Sequence, residues 1–155
     1  MTAQELLIRQ SERNLATLIE TVRAFPKDKL DWKPAPGARS ALNQLQEIAT
    51  ILEMSGDMYG KRKLEFNMDD YGTWVARREQ YTDAEELIEM ITKTTAHNNE
   101  EIAKIADDQL LTPFEMPWPG DFTLVDIMSY HQWNMAYHDA QINYLASMLE
   151  TPSEE

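Results

Sequence analysis

Apolar residues recur at three- and four-residue steps in four stretches, which is the periodicity of a helix with one buried face. In the first, Leu6, Leu7, Leu15, Leu18, Ile19 and Val22 follow Thr2 and Glu5, whose spacing is that of a capping box. Phe25-Pro26 closes this helix, and Pro26, Pro34, Pro36 and Gly37 mark a loop pinned by Leu30 and Trp32. Ser40 then caps a second helix to about Gly60, carried by Leu45, Ile48, Ile51, Leu52, Met54 and Met58. Arg62 to Gln80 reads as a long connection with a helical turn near Trp74, anchored by Phe66, Tyr71 and Trp74. Thr82 and Glu85 repeat the capping spacing before a third helix to about Asp107. A loop follows, rich in proline, with Phe114 and Trp118 as lids. Thr123 and Asp126 cap the last helix, Leu124 to Leu149, about 39 Å long at 1.5 Å per residue.

No run alternates between apolar and polar residues as a half-buried strand does. The pattern predicts an all-α fold, a four-helix bundle with long loops after helices 1, 2 and 3. It forms a single domain over residues 1–150, with a polar tail at 151–155.

Two helices place polar groups where the periodicity demands apolar ones. Glu47 shares a helical face with Ile51, Met54 and Met58. A carboxylate there is costly unless it is paired, hydrogen-bonded, protonated or metal-bound, or sits at the stripe's edge and reaches water. On the last helix Ile127, His131, Asn134, His138, Gln141 and Leu145 form one stripe whose four middle positions are polar. Asn134 and His138 lie one turn apart and point at the same spot. Such a row needs partners, and a carboxylate on a neighbouring helix supplies one. The alternative is a hydrated polar network with no ligand. His97, beside Asn98, Asn99 and Glu100, reads as solvated.

Composition removes several chemistries. The chain has no cysteine, so disulfides, thiolate metal sites and cysteine nucleophiles are absent. No GxGxxG, Walker or GxSxG motif is present, and no HExxH spacing. Lys and Arg number 14 against 27 Asp and Glu, a net charge of −13, which predicts no nucleic-acid partner. The N-terminus lacks the basic and apolar regions of a signal peptide, and no apolar stretch is long enough for a bilayer. These features predict a cytoplasmic protein with no membrane partner.

The loop and helix start WKPAPGARSALNQLQEIA, together with the late run YHQWNMAYHDAQINYL, resemble the DinB-like superfamily of four-helix bundles across essentially the whole chain. The resemblance implies a divalent metal held by three histidines, one seven residues after the capping serine and two on the last helix. Those positions are here Glu47, Asn134 and His138, followed by Gln141, so one histidine is retained. The run WNMAYHDAQINY is similar to a subgroup in which Glu and Asn replace the other two. The resemblance thus implies a metal site at Glu47, Asn134 and His138, with His131 and Gln141 lining the pocket. Its ion would be nickel, manganese or zinc, or the site would have lost its metal and kept a hydrogen-bonded triad. Implied activities are a thiol-dependent S-transferase or a hydrolase acting on a small-molecule or thiol substrate. The alternative is a non-catalytic ligand-binding or structural bundle. A homodimer is also implied.

Overall fold

The computed structural model describes residues 1–55, 57–65 and 68–150. Phe66, the Met54 side chain and the tail at 151–155 lie outside the described residues.

Four helices make the bundle: α1 (Ala3–Ala24), α2 (Ala41–Thr50), α5 (Ala84–Ala103) and α6 (Leu124–Glu150). Two shorter ones, α3 (Met58–Lys61) and α4 (Met68–Arg78), stand between α2 and α5. Helix α1 starts with the expected capping box of Thr2 and Glu5 and ends at Phe25. Ser40 caps α2 by accepting from the Asn43 amide. Thr123 donates from both its backbone amide and its hydroxyl to Asp126, opening α6.

Three boundaries differ from the sequence expectation. Helix α2 stops at Thr50, and a 3₁₀ segment, Ile51–Met54, follows it. The Thr50 hydroxyl donates to the Gln46 carbonyl and accepts from Trp74 Nε1, so it serves two neighbours at the point where the helix changes pitch. The segment expected as a connection holds α4, whose Trp74 is buried. Helix α5 is capped by Asp83 rather than Thr82 and ends at Ala103, short of Asp107. Aspartate caps as well as threonine does, so the pattern left one residue of ambiguity. A two-residue hairpin, Pro113–Phe114 (β1) with Phe122–Thr123 (β2), was also not expected, being too short to show alternation.

Helix α1 packs on α5 and α6, and α2 packs on the same two, so α1 stands diagonally opposite α2. Gln4 bonds the Ile105 carbonyl at one end of α1 and Arg23 pairs with Glu85 at the other, which makes α1 antiparallel to α5. Asn14 donates to Gln132, and Asn143 donates to Thr21, which makes α1 parallel to α6.

The core is in two parts. One centres on Leu18, Leu45, Ile91, Met135 and Ile142, the other on Leu7, Ile102, Leu124 and Met128. Along α1, α5 and α6 the two are separated by buried polar residues: Ser11, then Thr95, Asn98 and Asn99, then His131 and Asn134.

Candidate functional site

The structure brings Glu47, Asn134 and His138 together where α2 crosses α6. His138 Nε2 lies 3.1 Å from Glu47 Oε1, and Asn134 Nδ2 lies 3.5 Å from the same oxygen. His138 and Asn134 are buried, while the Glu47 side chain keeps 19% of its surface exposed. Gln141 joins them: His138 Nδ1 is 2.9 Å from Gln141 Oε1 and 3.1 Å from Gln44 Oε1. Both ring nitrogens of His138 therefore face side-chain oxygens.

His131 is elsewhere. Its Nε2 meets Thr95 Oγ1 at 2.9 Å, and its Nδ1 is buried without a partner. It belongs to the polar layer of the bundle rather than to the Glu47 cluster, because it projects toward α5 while Asn134 and His138 project toward α2. Burial lowers its pKa to about 4, so it is neutral near pH 7. His97 is exposed.

Two arginines complete the cluster, and sequence periodicity gave no sign of either. Arg39 sits just before the α2 cap. Its guanidinium is set by Asn43, which accepts from Nε at 2.7 Å, and its Nη2 reaches Glu47 Oε2 at 2.7 Å. Arg78, the last residue of α4, lies over the Trp74 ring at 4.2 Å and meets Glu47 Oε2 at 3.4 Å. Burial pushes the Glu47 carboxyl upward. The His138 hydrogen bond and the charges of Arg39 and His138 outweigh this and hold it down at about 2. Burial in turn lowers Arg78, opposed by Glu47.

A divalent ion fits this set by distance but not by charge. Ligands about 2.1 Å from one ion stand roughly 3.0–3.4 Å apart, and His138 Nε2 lies 3.1 Å from Glu47 Oε1. The Asn134 Oδ1 atom is buried with no hydrogen-bond partner. The single carboxylate, however, already answers two guanidinium groups, so the surroundings carry a surplus of positive charge. A dication would be left with a neutral amide and a neutral imidazole to offset that repulsion. Among the described residues no three His, Cys, Asp or Glu side chains gather as a metal cluster. The residues do not fit a tightly held divalent ion.

Two hollows flank the cluster. A cleft of about 500 Å³, lined by Tyr137 and Tyr144 among others, shares Arg39, Gln44 and Gln141 with it. A second cavity, of about 330 Å³, lies between the α6 N-terminal half, α4 and the hairpin loop. Trp118 lines this second cavity and is half-exposed, as a lid would be, whereas Phe114 is buried in the core. Trp133 lies on the outer face of α6, half-exposed and stacked on Tyr137 at 5.2 Å.

Comparison with known proteins agrees with this architecture. The model of the DinB superfamily matches residues 10–142. No curated protein matches the chain. Among solved structures, YfiT from Bacillus subtilis, described as a probable metal-dependent hydrolase with an unusual four-helix bundle topology, superimposes with a TM-score of 0.76. It is 15% identical, over 94% of this chain and 87% of YfiT. The colibactin self-resistance protein ClbS, solved in complex with a dsDNA, gives a TM-score of 0.71 at 16% identity over 93% of this chain and 95% of that one. A Streptococcus pneumoniae protein gives 0.69 at 12% identity, over 94% and 91%. The ClbS complex corrects the partner expectation, because a protein of this fold is found on DNA and the exclusion of nucleic acid from net charge does not hold. Net charge is a sum over the whole chain, whereas phosphate contacts are local. Among the described residues no helix is long and apolar enough to cross a membrane.

Proposed function

The chain belongs to the DinB superfamily, and we propose that its Glu47–Asn134–His138 cluster is a ligand-binding centre whose charge is balanced by guanidinium groups in place of a metal ion. One observation carries this reading: Arg39 and Arg78 both sit on Glu47 Oε2. Two fixed positive charges against one carboxylate attract an acceptor-bearing group and disfavour a second cation. Arg39 is the accessible one, with 38% of its side chain exposed at the wall of the larger cleft. The ligand is a small molecule carrying a carboxylate, low-molecular-weight thiols included. It contacts Arg39 while Gln44 and Gln141 hold the His138 ring in place.

The test has two parts. After incubation with nickel, manganese or zinc and desalting, elemental analysis should find far less than one ion per chain, unchanged by His138→Ala. Calorimetry with carboxylate-bearing thiols, cysteine among them, should show binding that weakens at least tenfold in Arg39→Gln. One ion per chain, lost on His138→Ala, would overturn the reading. That outcome would favour the second one, a metal-dependent hydrolase centre, to which the unpartnered Asn134 Oδ1 lends support.

A further inference from the structure

The cavity of about 330 Å³ between α4, α6 and the hairpin loop has no part in the Glu47 centre's ligand contacts. Its volume falls at the lower end of small-molecule sites, roughly 300–1,000 Å³. Five aromatic rings form much of its wall: Tyr71, Trp74, Trp118, Phe122 and Tyr130, the remainder being mainly aliphatic. The loop that closes it is fixed rather than hanging. The Leu64 amide donates to the Glu115 carbonyl and the Glu115 amide donates to the Arg62 carbonyl, on either side of the Lys63–Glu115 bridge, and Phe122 pairs with Phe114. Trp74 is locked by its bond to Thr50.

The polar groups of this wall are largely spoken for. The Asp126 carboxylate accepts from the Thr123 amide and hydroxyl at the start of α6. The Ser55 hydroxyl donates to the Leu52 carbonyl. Among the described residues no lysine or arginine lines the cavity, so an anion would find no counter-charge there and would face Asp126. A buried ion without a partner is strongly disfavoured. An apolar molecule would displace water from aromatic walls at no such cost.

We propose that this cavity is a binding site for a small uncharged molecule with an aromatic or branched apolar body. None of Glu47, Asn134, His138 or Arg39 lines it, although it abuts that centre: its Trp74 carries Arg78 on its ring, and its Tyr130 feels the Glu47 charge.

The experiment uses the whole chain and matched probes. N-phenyl-1-naphthylamine, which is uncharged, should bind saturably at one molecule per chain, with enhanced fluorescence. Its sulfonated counterpart, 1-anilinonaphthalene-8-sulfonate, should bind at least tenfold more weakly. tert-Butylbenzene should displace the uncharged probe, while its cationic isostere phenyltrimethylammonium should not at the same concentration. Met116→Glu, which puts a charge in the wall, should weaken the uncharged probe more than tenfold. Trp118→Ala, at a half-exposed ring, should weaken it several-fold while circular dichroism stays unchanged. Tyr144→Ala, on the other cleft, should leave binding within twofold. Absence of saturable binding, equal or tighter binding of either ionic analogue, or indifference to both wall variants would overturn the site. The failure of the Glu47 centre to bind carboxylates would leave these results untouched, because the probe reads this cavity alone.

Discussion

Four side chains converge on Glu47, and its removal should be felt in stability. It answers His138, Asn134, Arg39 and Arg78 together. Arg78 is 5% exposed and its Nε has no partner, so loss of the carboxylate leaves a buried guanidinium uncompensated. Breaking such a set costs roughly 3 kcal/mol, and Glu47→Ala should lose about that much in urea unfolding. Arg39→Gln should cost only about 0.5–1 kcal/mol, since its guanidinium is partly solvated. Equal losses for the two would mean that Arg78 does not depend on Glu47. At this scale the sequence was half legible. Glu47, Asn134 and His138 stood out because helical periodicity turns a polar residue on an apolar face into a visible exception. Arg39 and Arg78 did not, since each lies at the end of a loop or helix where no periodicity sets an expectation.

The elements show where pattern and structure part company. The apolar spacing of Ile51, Leu52 and Met58 continues about ten residues beyond the end of α2 at Thr50. What ends the helix is tertiary: α4 delivers Trp74 onto Thr50, and the chain tightens into a 3₁₀ turn there. Helix α4 is longer than the single turn expected near Trp74, because Asp69, Asp70 and Gly72 dilute its apolar face. The Thr50–Trp74 bond is therefore the clasp between two elements and can be tested as one. Thr50→Val keeps the shape but removes the hydroxyl, leaving the buried indole N–H at most the 3.3 Å contact to the Thr50 carbonyl. The expected loss is about 1–2 kcal/mol, the cost of a weakened buried hydrogen bond. Trp74 fluorescence should also shift if α4 loosens from α2. An unchanged unfolding curve would place the clasp in packing rather than in hydrogen bonding.

For the molecule as a whole, the decisive feature is the polar layer between the two apolar cores. Ser11 Oγ, Asn99 Oδ1 and His131 Nδ1 are all buried there without partners, and each carries an unmet hydrogen-bonding demand. His131 makes the layer sensitive to pH, and the direction follows from linkage. Its folded pKa of about 4 lies below the ordinary value of 6.5, so protonation favours the unfolded chain. The stability it supports is complete above pH 6.5, falls as the pH drops toward 4, and levels off below. A difference of about 2.5 pH units corresponds to roughly 3 kcal/mol across that window. His131→Gln keeps a polar group beside Thr95 but cannot titrate. Urea unfolding from pH 7 to pH 4 should therefore lose about 3 kcal/mol less in the variant than in the parent chain. Carboxylates titrate equally in both proteins, so the difference between the two curves isolates His131. Parallel curves would mean that the imidazole gains a partner on protonation, and the layer would then be a hydrated network able to take up charge. The same layer explains why the bundle was legible from the sequence while its interior was not: spacing places a residue on a face, but only packing decides whether that face meets a partner.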